Sequence, residues 1–160
     1  MRLLVAAIGR LKQGPERLLA DRYQDRVAKA CRTVGLRSVE IVELEESRAG
    51  DALRRREDEA ARLLQRLPDD AAMVLLDETG ANLDTAALTE RVRRWRDGGR
   101  AATAFVIGGP DGTAPALKER AELCLALGGL TWPHQLVRVM LLEQLYRVTT
   151  VLAGHPYHRD

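Results

Sequence analysis

Two of the three histidines, a tyrosine and an arginine crowd into the terminal hexapeptide His155-Pro156-Tyr157-His158-Arg159-Asp160. Chain ends are normally polar and frayed, whereas this one carries the inventory of a site. Three further segments combine glycine with polar or rigid residues: Leu75-Leu76-Asp77-Glu78-Thr79-Gly80, Ile107-Gly108-Gly109-Pro110-Asp111-Gly112 and Leu127-Gly128-Gly129-Leu130-Thr131-Trp132-Pro133. Each directly follows an apolar run, so backbone N–H and C=O groups there approach a ligand without interference from Cβ atoms. One such segment alone is an ordinary tight turn. Three at the same sheet edge imply a pocket, because open α/β sheets bind ligands at the carboxyl ends of their strands.

The chemistry of that pocket narrows by exclusion. Gly108-Gly109-Pro110-Asp111-Gly112 is not Gly-x-Gly-x-x-Gly, and Pro110 removes an amide from a loop that would otherwise cradle a pyrophosphate. No Gly-Lys-Ser/Thr follows, which sets aside nucleoside triphosphates. Ser38 and Ser47 are the only serines and neither stands in a Gly-x-Ser-x-Gly elbow. His155 and His158 are separated by a proline and lack a clustered carboxylate, so no metal site is expected. The loops suit a neutral or zwitterionic ligand held by main-chain hydrogen bonds.

The elements that must position these groups follow from periodicity. Short apolar runs at Leu3 to Ile8, Ser38 to Leu44, Ala72 to Leu76, Thr103 to Ile107 and Leu123 to Leu127 read as strands. Between them lie helical patterns at about 16–31, 51–67, 85–96, 115–121 and 133–152. Asp84 is placed to cap the third of these, and Pro133 to open the last. The alternation predicts an α/β fold with a mainly parallel sheet flanked by helices on both faces, in one domain spanning 1–160. The final helix is apolar around most of its circumference, from Leu136 to Leu152. That pattern needs cover on more than one side and predicts a homodimer. A central helix in a monomer is the other reading.

Composition adds limits. With 25 basic against 23 acidic residues the formal charge is +2, too small by itself to nominate a nucleic-acid partner. The charged run Arg54-Arg55-Arg56 reads as a solvated helix face. Cys31 and Cys124 lack Cys-x-x-Cys spacing and read as buried free thiols. No apolar run approaches the roughly 20 residues of a membrane span. The N-terminal residues read as a first strand rather than a leader, and the expected location is the cytoplasm.

Ile107-Gly-Gly-Pro-Asp-Gly112, Leu130-Thr-Trp-Pro-His-Gln-Leu-Val-Arg-Val139, Glu143-Gln-Leu-Tyr-Arg147 and the terminal hexapeptide together resemble the RlmH family. These are bacterial methyltransferases that place a methyl on N3 of a pseudouridine in 23S ribosomal RNA, acting on assembled ribosomes. The resemblance spans the chain. It implies a SPOUT-class fold with a C-terminal trefoil knot, a homodimer and S-adenosylmethionine as cofactor. Periodicity alone shows no knot, and knots are rare. Carried over by position, the cofactor contacts would be Leu76, Gly108, Leu127, Gly128, Gly129, Leu130, Thr131 and Trp132.

By helical spacing His134 and Arg138, one turn apart at the start of the last helix, are expected to face the target base beside the cofactor, with Tyr157 and Arg159 completing the catalytic set. His155, Tyr157, His158 and Arg159 would contact RNA, the tail of one subunit completing the site of the other. Two further readings stand beside this one: a methyltransferase of the same fold acting on another rRNA or tRNA base, and a non-enzymatic factor associated with the ribosome.

Overall fold

The computed structural model describes residues 1–154, with the terminal hexapeptide outside the described residues. In chain order the elements are β1 (Arg2–Ile8), α1 (Pro15–Cys31), β2 (Val39–Leu44), α2 (Ala52–Leu64), β3 (Ala72–Asn82), α3 (Thr85–Asp97), β4 (Ala102–Ile107), α4 (Pro115–Arg120), β5 (Leu123–Ala126) and α5 (His134–Leu152). A short 3-10 turn, Arg32–Val34, follows α1. All ten expected elements are present. Asp84 caps α3 as its position predicts, accepting a hydrogen bond from the Ala87 amide at 2.7 Å.

The five strands form one sheet in the order β2-β1-β4-β3-β5, with every pair parallel. Parallel strands covered on both faces are apolar at successive positions, and β4 is buried along its whole length. Alternate side chains then serve two helical layers. Leu3, Val5, Ala7, Val74 and Phe105 pack with α1, α3 and α5, while Ala6, Ile8, Met73, Leu75 and Val106 pack with α2 and α4.

Within the protomer α5 buries Val139, Leu141, Leu142, Leu145 and Val148. Its flank meets α1 through Tyr146 and Tyr23, whose ring centroids lie 6.4 Å apart. Leu130, Leu136 and Trp132, in and just after the loop that leads into α5, stay exposed. Cys31 is buried, as expected, and Cys124 partly so. No helix among the described residues is long and apolar enough to cross a membrane.

One local departure matters for the site. The sequence places a strand end at Leu76, but β3 continues to Asn82. Pairing with β5 is interrupted: Leu125 faces Leu76 and then Ala81, so residues 77–80 loop out of the ladder. Asp77 stabilises the excursion by accepting hydrogen bonds from both the amide and the hydroxyl of Thr79, at 2.9 and 2.5 Å. Gly80 lets the chain return, because a Cβ there would lie 2.6 Å from the Cys124 carbonyl carbon.

Candidate functional site

The carboxyl tips of β4, β3 and β5 enclose a cleft of about 450 Å³, within the range of small-molecule sites. Leu76, Ile107, Leu125, Leu127 and Val137 supply its apolar walls. The three glycine-bearing segments named from sequence meet here and are joined to one another. Thr131 donates a 2.8 Å hydrogen bond to Glu78, tying the third segment to the first, and Thr113 Oγ1, on the residue that follows the second segment, lies 3.4 Å from Asp77 of the first. Trp132 Nε1 donates to the Leu127 carbonyl at 2.9 Å, folding the third segment on itself.

Two glycines are required by close approach or backbone shape. A Cβ on Gly108 would come within 2.6 Å of the Thr113 methyl. Gly128 has φ 96°, a left-handed conformation, and its amide donates to the Asn82 side chain at 3.0 Å. The turn at Gly109–Gly112 closes with a 3.1 Å backbone hydrogen bond and is anchored to α2 by a two-pronged pair, Arg55 to Asp111, at 2.7 and 3.0 Å. Behind it Glu59 is buried, and burial pushes its carboxyl up from the ordinary value.

The electrostatics of the cleft are set by Asp77, Lys118, Arg56 and Glu78. Burial raises the Asp77 carboxyl, but hydrogen bonds from Thr79 and Lys118 outweigh that and hold it at about 2. Its ion pair with Lys118 measures 2.9 Å.

Of the expected cofactor contacts, Leu76, Gly108, Leu127, Gly128, Leu130, Thr131 and Trp132 line this cleft, with His134 at its edge on the first turn of α5. Gly129 belongs to the same segment but does not line it. Arg138 is not brought there. It is 2% exposed and turns to the tips of β1 and β2, where it meets Glu43 at 2.5 Å and the Gly9 carbonyl at 2.9 Å. The four-residue spacing from His134 fixes the helix face, not the direction in which a long side chain runs. His155, Tyr157, His158 and Arg159 lie outside the described residues.

Sequence reasoning missed two groups. Arg56 lines the cleft although its run of arginines reads as solvent-facing, and Lys118 does so from α4. Glu43, the partner of Arg138, carried no local signal either. No group of three or more metal-ligating side chains occurs among the described residues.

A family model described as "Predicted SPOUT methyltransferase" matches residues 1–158. The ribosomal RNA large subunit methyltransferase H of Bradyrhizobium sp. (strain ORS 278) is 57% identical over 159 residues, covering 99% of this chain and 98% of the relative. The chain belongs to the RlmH family of SPOUT methyltransferases. The protein of the same description from Bradyrhizobium diazoefficiens is 56% identical, covering 99% of both chains. Among solved structures, the SpoU methyltransferase AviRb from Streptomyces viridochromogenes in complex with AdoMet is similar at a TM-score of 0.38 and 10% identity, covering 92% of this chain and 57% of its own. That likeness is too loose to add to the family assignment, which rests on sequence.

Proposed function

We propose that this RlmH-family chain transfers a methyl group from S-adenosylmethionine to N3 of a pseudouridine in 23S ribosomal RNA within the assembled ribosome. The observation that carries this reading is the single cleft formed by three linked strand tips, with an ionisable side chain, His134, at its edge. The residues present fit the cofactor. Gly108 leaves space that a Cβ would fill against Thr113, the cleft walls are apolar enough to take a purine, and main-chain groups around Gly128 are free of side-chain bulk. Bound there, S-adenosylmethionine would supply an electrophilic methyl on a sulfonium.

The chain's own task is to hold an imide nitrogen in line with that methyl and at near-attack distance, which lowers the entropic cost of the transfer. As the N3 proton departs to solvent, negative charge is shared by the two flanking uracil carbonyls, and displacement of the methyl from the sulfonium neutralises it and leaves the neutral thioether, S-adenosylhomocysteine. In this reading His134 donates a hydrogen bond to one of those oxygens and stabilises the charge. Leu127 excludes water beside it, joined by Leu130 and Trp132 once ligand or partner covers them. Arg138 keeps α5 fixed against β1 and β2, so the first turn presents His134 at a constant height.

The same reading takes the protein to be a homodimer with its C-terminal segment threaded in a trefoil knot, the tail of one subunit completing the other's site. The exposure of Leu130, Leu136 and Trp132, close together in sequence, supports the dimer, since large apolar groups left exposed together are commonly covered by a partner. His155, Tyr157, His158 and Arg159 would then present the nucleotide. The near balance of charge favours recognition of a folded substrate over tight binding of naked RNA.

Mass spectrometry of 23S and transfer RNA from a deletion strain tests the proposal. Loss of one methylpseudouridine from 23S RNA, restored by the gene, is expected. An unchanged 23S profile, or a methyl lost from tRNA, overturns it. Gly108→Arg should fill the cleft and abolish calorimetric binding of S-adenosylmethionine, and undiminished binding would remove the cofactor from this cleft.

A further inference from the structure

Arg56 stands in the cleft wall without a hydrogen bond or close ion pair among the described residues; its Nε is buried and unsatisfied, and its charge reaches Asp111 only as a longer-range field that helps lower that carboxyl. Its neighbours are arranged differently. Arg55 spends its guanidinium on Asp111, and Arg54 pairs with Asp51 within the first turn of α2. Lys118, the other long cation of the cleft, is paired with Asp77 at 2.9 Å. A half-buried guanidinium left unpaired beside a ligand cleft has a cost that an incoming anion relieves.

The position of Arg56 indicates which anion. Helices α2 and α5 lie on opposite faces of the sheet, so the cleft crosses the strand tips from one layer to the other. On the α5 side its lining is Leu125, Leu127, Leu130, Trp132 and Val137, suited to an apolar planar group. On the α2 and α4 side stand Arg56, Asp77 and Lys118, suited to a charged one. A ligand with a purine at one end and an amino acid at the other matches that polarity in one orientation.

We infer that Arg56 is a specificity residue of this cleft that receives the α-carboxylate of the methionine portion of S-adenosylmethionine. The guanidinium fork matches a carboxylate, and the two-pronged Arg55–Asp111 pair fixes the start of α2 so that the neighbouring fork is held in place. This inference rests on the cofactor reading given above and adds a role for a side chain outside the three strand-tip segments.

The test compares S-adenosylmethionine with decarboxylated S-adenosylmethionine, which keeps the sulfonium and the amine and lacks only the carboxylate. Both are titrated calorimetrically into the full-length protein, wild type, Arg56→Gln and Arg56→Lys, with circular dichroism confirming the fold. The wild type should prefer the carboxylated ligand by about tenfold or more, the scale of one charge-assisted pair. Arg56→Gln should bring the two affinities together, and Arg56→Lys should retain part of the preference.

A wild-type protein indifferent to the carboxylate, or a preference that survives in Arg56→Gln, overturns the inference. So does a loss of rRNA methylation in Arg56→Gln with both affinities unmoved, which would place the guanidinium on RNA. Failure of the wild type to bind S-adenosylmethionine at all is a different result, and removes the cofactor reading itself.

Discussion

Arg138 Nη1 lies 2.5 Å from Glu43 Oε1, joining the first turns of α5 to the end of β2 across 95 residues of sequence. Glu43 also accepts from the Leu11 amide at 3.0 Å and from Arg17 at 3.2 Å. The cluster therefore ties four segments together beneath the helix that carries His134. Glu43 keeps Arg17 and the Leu11 amide when Arg138 is removed, so the loss is that of one charge-assisted bond and its packing, and Arg138→Met should lower unfolding free energy by about 1–3 kcal/mol. His134→Ala, at the exposed start of the helix, should leave stability within about 0.5 kcal/mol while reducing methyl transfer at least about a hundredfold. Urea unfolding and rRNA methylation measured on both variants check the contrast. A stable Arg138→Met protein with normal cofactor binding and no turnover would return Arg138 to the chemistry.

Acid should expose the Asp77 carboxylate, held by Thr79 and by its pair with Lys118. The folded-state carboxyl is held at about 2, below its ordinary value of 3.8, so its contribution is present above 3.8 and is lost as pH falls toward 2. With the lysine half exposed, screening reduces that contribution to about 1–2 kcal/mol. Glu43 acts with the same sign. Burial alone would raise it, but the Leu11 amide, Arg17 and Arg138 hold it below 4.5, so it too supports the fold above that value and less below. Asp77→Asn should shallow the loss of stability between 3.8 and about 2, as read from urea midpoints across that range; an unaltered slope would show that the carboxylate and its partners do not contribute.

How much of this was readable in advance depended on the range of the interaction. Buried parallel strands such as Thr103 to Ile107 announce themselves as apolar runs, and Asp84 announces a helix start because its hydrogen bond to Ala87 is three residues away. The three strand-tip segments were legible because glycine marks places where side chains do not fit. The fate of charged residues was not. Arg55 and Arg56 are adjacent in an arginine run, yet one is claimed by Asp111, 56 residues onward, and the other faces the cleft. Arg138 shares a helix face with His134, but Glu43 draws it toward β2. Local periodicity assigns a face and is silent about a distant partner.

Two glycines should respond in opposite ways to one methyl group. Gly80 sits where β3 rejoins β5, and a Cβ would lie 2.6 to 2.8 Å from backbone atoms of Cys124 and Leu125. Those atoms belong to a strand and have little room to move, so Gly80→Ala should cost about 1–3 kcal/mol and weaken cofactor binding by shifting residues 77–80. Nothing lies within 4 Å of the corresponding position at Gly129. Gly129→Ala should be close to neutral in thermal unfolding, and a large loss there would mean that the loop is closed by a group outside residues 1–154.

Substitutions in the terminal hexapeptide test whether cofactor binding and presentation of the nucleotide are separate tasks. If the tail orients the nucleobase rather than the cofactor, Tyr157→Ala or Arg159→Ala should abolish rRNA methylation while S-adenosylmethionine affinity changes by less than about threefold, since neither side chain would touch the methyl donor. Mixing the Arg159→Ala protein with a Gly108→Arg protein sharpens the test. If the tail of one subunit serves the site of the other, a heterodimer of these two variants has one intact composite site of two, and since random exchange makes about half of the dimers heterodimers, the mixture should recover toward roughly a quarter of wild-type activity. If each tail serves its own subunit, every site in the mixture is defective and no activity returns. Recovery of turnover in the mixture, alongside inactivity of each variant alone, is therefore the outcome that the shared site requires.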